Sequence, residues 1–175
     1  NQVRDKKKVL IVVISSDRGL CGGFNSSVIK ATIRRMNEEY SGAEVTLLPL
    51  GKKAFEFFTK RGSKIVGEHF AIFQQLTFSN SSQVSGQIMN LFKSGAFDHV
   101  ELIYNQFKNV ATQILTCEQF LPVAPSKENS NGGTDYIFQP DREEIIAGTV
   151  PKTLHVQLFK ALLDSNASEN GARMT

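Results

Sequence analysis

Lys8-Val9-Leu10-Ile11-Val12-Val13-Ile14-Ser15 is apolar and β-branched almost without a break. A half-exposed strand would alternate polar and apolar residues; a continuous run marks a strand buried on both faces of a parallel sheet. Such a strand needs helices on both sides. Working outward, Ile29, Ile33, Met36 and Tyr40 recur at helical spacing across 26–40, with Asn25 or Ser26 placed to cap the first turn and Gly42 to end it. The next strand is expected over 45–50. Ala54, Phe55 and Phe58 mark a short helix ended by Gly62, followed by a strand over 64–70. Val84, Ile88, Leu91 and Phe92 mark a longer helix that begins near 79–82 and stops at Gly95, and 99–105 reads as another strand. Strands separated by helices imply parallel pairing through right-handed crossovers, so the class is α/β, a Rossmann-like open sheet.

Beyond residue 105 the pattern changes. Too few residues separate that strand from 112–121 for a crossover helix, so the last long strand should return antiparallel along a sheet edge. The segment 126–134 (SKENSNGGT) is polar and rich in turn formers, a surface loop. A short strand is expected over 135–139, ended by Pro140, with Asp141, Glu143 and Glu144 in the first turn of the helical stretch that follows. Pro151 should kink or restart that helix. Leu154, Leu158 and Leu162 then form one row, with Phe159, Leu163 and Ala167 beside it, and the pattern runs on to Thr175 without a Gly or Pro stop. The division expected is an α/β domain over 1–140 and a helical segment over 141–175, the latter part of a longer helix. Its stripe extends beyond what a compact sheet would cover; it either folds back on the sheet or pairs with a helix from outside this chain.

The composition suits one globular domain: 175 residues, 41% hydrophobic and 21% charged. A formal charge of +3, with acids and bases interspersed, does not argue for nucleic acid. No apolar run approaches the roughly 20 residues that span a bilayer. The two cysteines, Cys21 and Cys117, lie in different contexts and do not suggest a disulfide; Cys117, inside a strand, reads as a small core residue. None of His69, His99 and His155 shows a metal-ligand spacing.

Chemistry, if any, belongs in the loop after the first strand, because ligands of open α/β sheets bind at the carboxyl ends of the strands. Here the loop reads Ser15-Ser16-Asp17-Arg18-Gly19-Leu20-Cys21-Gly22-Gly23-Phe24-Asn25. Its glycines permit close backbone approach, and a helix N-terminus follows that would favour an anion. The spacing of Gly19, Gly22 and Gly23 is not G-x-G-x-x-G, however, and the second strand ends in Leu50-Gly51 without the acid that would hold a ribose. Asp17 reads as a loop or cap residue more readily than as a catalytic partner of Arg18. Cys21 near a helix N-terminus is a candidate nucleophile, though no histidine motif supports it. A small α/β enzyme or phosphate binder using the 19–23 loop stays open as the alternative.

Two stretches, 13–25 (VISSDRGLCGGFN) and 161–174 (ALLDSNASENGARM), closely resemble the gamma subunits of rotary F-type ATP synthases, and the order of elements between them matches from Lys8 onward. The resemblance implies a Rossmann-like domain with no cofactor, metal or catalytic residue, serving as the foot of a central rotor in proton-driven ATP synthesis. It implies as partners the alpha and beta subunits of the catalytic ring, the epsilon subunit and the c-ring, with the chain peripheral to a membrane: the cytoplasmic face of a bacterial inner membrane, or the mitochondrial inner membrane. It assigns Arg18, Gly19, Leu20, Cys21, Gly22 and Gly23 to contact with an acidic loop of beta, and Asp135 and Tyr136 to contact with epsilon and the ring. The sequence departs from the family pattern in lacking the N-terminal shaft helix and most of the C-terminal one. Its 126–134 loop also lacks the paired cysteines of light-regulated chloroplast forms, so no thiol switch is expected.

Overall fold

A computed structural model describes residues 7–19, 22–123 and 151–174. The expected strand 135–139, the 126–134 loop, the acidic turn at 141–144 and the 140/141 boundary fall outside the described residues.

The predicted central strand is β1, Lys8–Ile14, and from Val9 onward all of its residues are buried. It leads through the 15–23 loop into α1, Phe24–Asn37, then β2, Glu44–Leu50, and α2, Lys52–Arg61. A short 3-10 turn at Ile72–Gln75 precedes α3, Phe78–Lys93, followed by β3, His99–Asn109, β4, Thr112–Leu121, and α4, Pro151–Met174. The sheet order is β2-β1-β3-β4; β1 pairs parallel with both β2 and β3, and β3 pairs antiparallel with β4. The mostly parallel sheet with an antiparallel edge strand is therefore as the sequence led us to expect.

Alternation along β1 divides the core. Leu10, Val12 and Ile14 face α3 and α4, together with Leu102, Phe120, Leu158 and Leu162. Val9, Ile11 and Val13 face α1 and α2, with Val28, Leu47, Phe58 and Ile103. Both faces are covered, which is why β1 shows no polar alternation.

Four local expectations need correction. The strand over 64–70 reduces to a single parallel bridge, Ile65 to Leu47, since Gly67 at φ +89° turns the chain away under Leu48. The α1 helix starts at Phe24 with Gly23 at the N-cap and ends at Asn37, before Gly42; Asn25 and Ser26 do not cap it. The N-cap of α3 is Thr77, whose hydroxyl accepts the Asn80 amide at 3.0 Å. Cys117 is exposed and not a core residue, because β4 lies at the sheet edge. By contrast Gly62 ends α2 in the left-handed conformation, as its position suggested.

The stripe on α4 folds back on the sheet. The expected row Leu154, Leu158 and Leu162 is buried, as are Ala161, Ser165 and Ser168, whereas Leu163 beside it is 46% exposed. Gln157 ties the helix to β4, donating to Glu118 Oε2 at 2.7 Å and to the Gln119 carbonyl at 3.1 Å.

Candidate functional site

The strand order reverses between β1 and β3, so the crevice outside their carboxyl ends is where an α/β sheet would receive a ligand. It is bordered by the 15–23 loop on one side and by the end of β3 on the other. In this chain the last turns of α4 lie across it. The Ser168 hydroxyl donates to the Asn105 carbonyl at 3.1 Å. One turn on, Gly171 meets the β3–β4 turn so closely that a Cβ there would stand 2.6 Å from the Val110 carbonyl oxygen. Arg173 then reaches the loop, donating from Nη1 to the Gly19 carbonyl at 3.0 Å and from Nη2 to the Arg18 carbonyl at 3.2 Å. Glu169, one turn back on the same helix, accepts from Nε at 2.9 Å and from Nη2 at 2.7 Å, fixing the guanidinium plane and balancing its charge.

The loop is also tied from beneath. The Asn25 side chain accepts the Ser16 amide at 2.8 Å and donates to Ser16 Oγ at 2.9 Å, while that hydroxyl donates to the Arg18 carbonyl at 2.6 Å. Asp17 Oδ1 accepts the Lys52 amide at 3.0 Å. The Ser16 carbonyl accepts from Lys53 N, and Ser15 Oγ accepts from Ala54 N, both at 3.0 Å. The first amides of α2 are therefore all engaged by the loop. Gly51 makes this join possible: its φ is +115°, and a Cβ there would fall 2.4 Å from Ser15 Oγ.

A phosphate-binding loop must direct free N–H groups at its ligand. Here the described part of the loop offers carbonyls, and offers them to an arginine. Asp17 caps the first amide of α2 from the neighbouring loop, and Arg18 is exposed. Gly22 adopts φ +62°. Gly19, Gly22 and Gly23 sit together at the head of α1; Leu20, Cys21, Asp135 and Tyr136 fall outside the described residues. Among the described residues no three His, Cys, Asp or Glu side chains gather as metal ligands, and no helix is long and apolar enough to cross a membrane. The sequence reading missed the roles of Asn25, Glu169 and Arg173. The resemblance quoted the stretch containing the last two, but nothing local to it says what they hold.

A second polar cluster lies under β3. Glu101, 2% exposed, accepts from Arg35 Nη2 at 2.8 Å and from the Tyr40 hydroxyl on the same oxygen. Burial, then the hydrogen bond and charge of Glu101, push the Tyr40 phenol well above its ordinary range. Tyr104, donating to Glu118 at 2.7 Å on the other face, is raised by burial first and then by the hydrogen bond and charge of Glu118. These groups link α1 to β3 and β3 to β4, and none lines the crevice.

A family model described as ATP synthase matches residues 1–175. The ATP synthase gamma chain of Flavobacterium johnsoniae is 51% identical over 173 residues, covering 98% of this chain and 60% of that protein. That of Cytophaga hutchinsonii is 46% identical over 180 residues, covering 98% and 61%. Among solved structures, a chain of the Tetrahymena thermophila mitochondrial ATP synthase central stalk and c-ring matches with a TM-score of 0.68 at 26% identity, covering 97% of this chain and 74% of its own length. The present chain spans about 60% of the length of these curated relatives. The match runs the whole length of the chain, through the 15–23 loop and α4 alike, and the chain belongs to the ATP synthase family.

Proposed function

We propose that this chain is the globular foot of an F-type ATP synthase rotor, passing torque between the membrane ring and the catalytic ring of alpha and beta subunits while performing no chemistry itself. The observation that carries the reading is the bridged crevice: where an α/β enzyme keeps a ligand site, α4 lies across the strand ends and is bolted to the loop through Arg173, leaving an opening of about 280 Å³ beside Gly22, Gly23 and Asn105. That substitution of a joint for a site is what a torque-bearing element needs, since a close-packed, doubly covered sheet deforms little under load. The outward face of α4 supports it too. Val156, Lys160, Leu163, Ala167, Asn170 and Met174 follow one another at alternating steps of four and three residues, and Val156, Leu163 and Met174 are exposed. This is the heptad seam a second helix would cover.

Within that reading the 18–23 segment meets an acidic loop of a beta subunit, Arg18 supplying a screened charge contact of about 1 kcal/mol or less. Asp135 and Tyr136 face the epsilon subunit and the c-ring, and the complex works at the cytoplasmic face of a bacterial inner membrane. Cys21 provides the test. In a complex whose full-length gamma chain carries this sequence, oxidation against a cysteine placed in the beta acidic loop is expected to crosslink the two chains and stop ATP hydrolysis, with recovery on reduction. Hydrolysis undiminished by a complete crosslink would refute the rotor reading.

A further inference from the structure

We infer that the groove between α1 and α2 is a docking site for an acidic amphipathic helix of another protein. The groove has a volume of about 630 Å³ and runs along the two helices from Gly19 and Gly22 at one end. Its floor is apolar: Ile29 and Ile33 from α1 and Phe57 from α2, the last 38% exposed. Its rim is cationic, with Lys30 on α1 and Lys53 and Lys60 on α2. Glu56 is the acid among the lining residues, and it stands 3.8 Å from Lys53 with both side chains well exposed, a loose surface pair that leaves the rim positive.

The spacing selects a helix as the occupant. Ile29 and Ile33 lie one turn apart, about 6 Å along α1, and Lys53 and Lys60 two turns apart, about 10 Å along α2. A helix laid between them would place apolar residues at i and i+4 over the isoleucines and Phe57, and carboxylates at i and i+7 over the lysines of α2. The positive rim rejects a basic amphipathic helix of the same apolar face, so charge decides which partner is admitted. The inference does not depend on the rotor reading, because the floor and rim of the groove come from α1 and α2, with Gly19 and Gly22 only at its end.

The test uses the isotopically labelled chain and two synthetic helical peptides of about 18 residues sharing one leucine face, one flanked by glutamates and the other by lysines. The acidic peptide is expected to shift amides of α1, α2 and the 19–23 segment in a saturable way and to bind about tenfold or more tightly than the basic one. Binding should weaken with added salt. Lys30→Glu with Lys60→Glu, both at exposed positions, should reverse the preference while leaving the circular dichroism unchanged. Equal binding of both peptides, absence of saturation, an unreversed preference in the double variant, or shifts centred on Leu163 of α4 would each overturn the assignment. None of these outcomes touches the Cys21 crosslink, so the two readings fail separately.

Discussion

Arg173 joins α4 to a loop more than a hundred and fifty positions earlier in the chain, and its side chain is only 22% exposed. Replacing it by alanine removes two hydrogen bonds to loop carbonyls and leaves Glu169, 14% exposed, without its cation. We expect Arg173→Ala to lower the unfolding free energy by about 1–3 kcal/mol and to speed amide exchange at Arg18 and Gly19 more than in β1. Arg173→Lys should recover little of this, because an ammonium cannot serve two carbonyls and a carboxylate in one plane. Equal exchange rates in the parent and the alanine variant would show the bolt to be idle. The tyrosines give a second residue-scale expectation. Tyr40 and Tyr104 keep their protons in the folded state at a pH where the unfolded chain, with phenols near 10, has begun to lose them. Their contribution is therefore fully present below about pH 10 and is lost as pH rises toward the folded-state values. Urea midpoints between about pH 8 and about pH 11 should fall steeply at the alkaline end, and the Tyr40→Phe, Tyr104→Phe double variant should flatten that fall. Little of this was legible beforehand. Asp17 could be read as a cap because it follows a buried strand, but that Asn25 would turn back to Ser16 depends on where α2 comes to rest.

Among the elements, the helix faces carry the most information. Periodicity located α4 and its row Leu154, Leu158 and Leu162, yet it could not say whether Leu163, beside that row, is buried with it. The sheet decides: Ala161, Ser165, Ser168 and Gly171 are small enough to bring the helix close to β3, so the face they share becomes the buried one. Leu158→Ala should then cost about 2–5 kcal/mol, because a fully buried side chain leaves a cavity behind. Leu163→Ala, by contrast, should stay within about 0.5 kcal/mol in the isolated chain. Chemical denaturation of the two variants side by side checks the assignment, and a larger loss at Leu163 would mean that the helix is rotated. The same logic explains the missing strand. Residues 64–70 have strand-like composition around Ile65 and Val66, but Gly67 breaks the pairing after one bridge. A glycine's backbone angle is set by what approaches it, here Leu48, and that contact is between segments distant in sequence.

For the molecule as a whole, the class of the sheet followed from strand character and connection length: β1 had to be buried on both faces and β4 had to return antiparallel along an edge. The bridging of the crevice did not follow, because it is a contact between segments near the two ends of the described chain. That contact bears on how force would travel. If α4 were a separate unit resting on the sheet, the two could slip and a twist applied to the helix would be lost as shear. The core argues otherwise. Leu154, Leu158, Ala161 and Leu162 belong to the same buried cluster as Leu10, Val12, Val100, Leu102 and Phe120, so removing the helix would uncover the part of that face which α3 does not reach. Stability of that kind is shared, and its elements open together. Native-state hydrogen exchange should accordingly give the amides of Leu158 and Leu162 the same opening free energy as those of Val12 and Leu102, within about 1 kcal/mol, and the same dependence on denaturant. An α4 that exchanges through a lower-energy opening of its own, with a smaller denaturant dependence, would show a hinge between helix and sheet and would remove the mechanical basis for treating the chain as one rigid coupling.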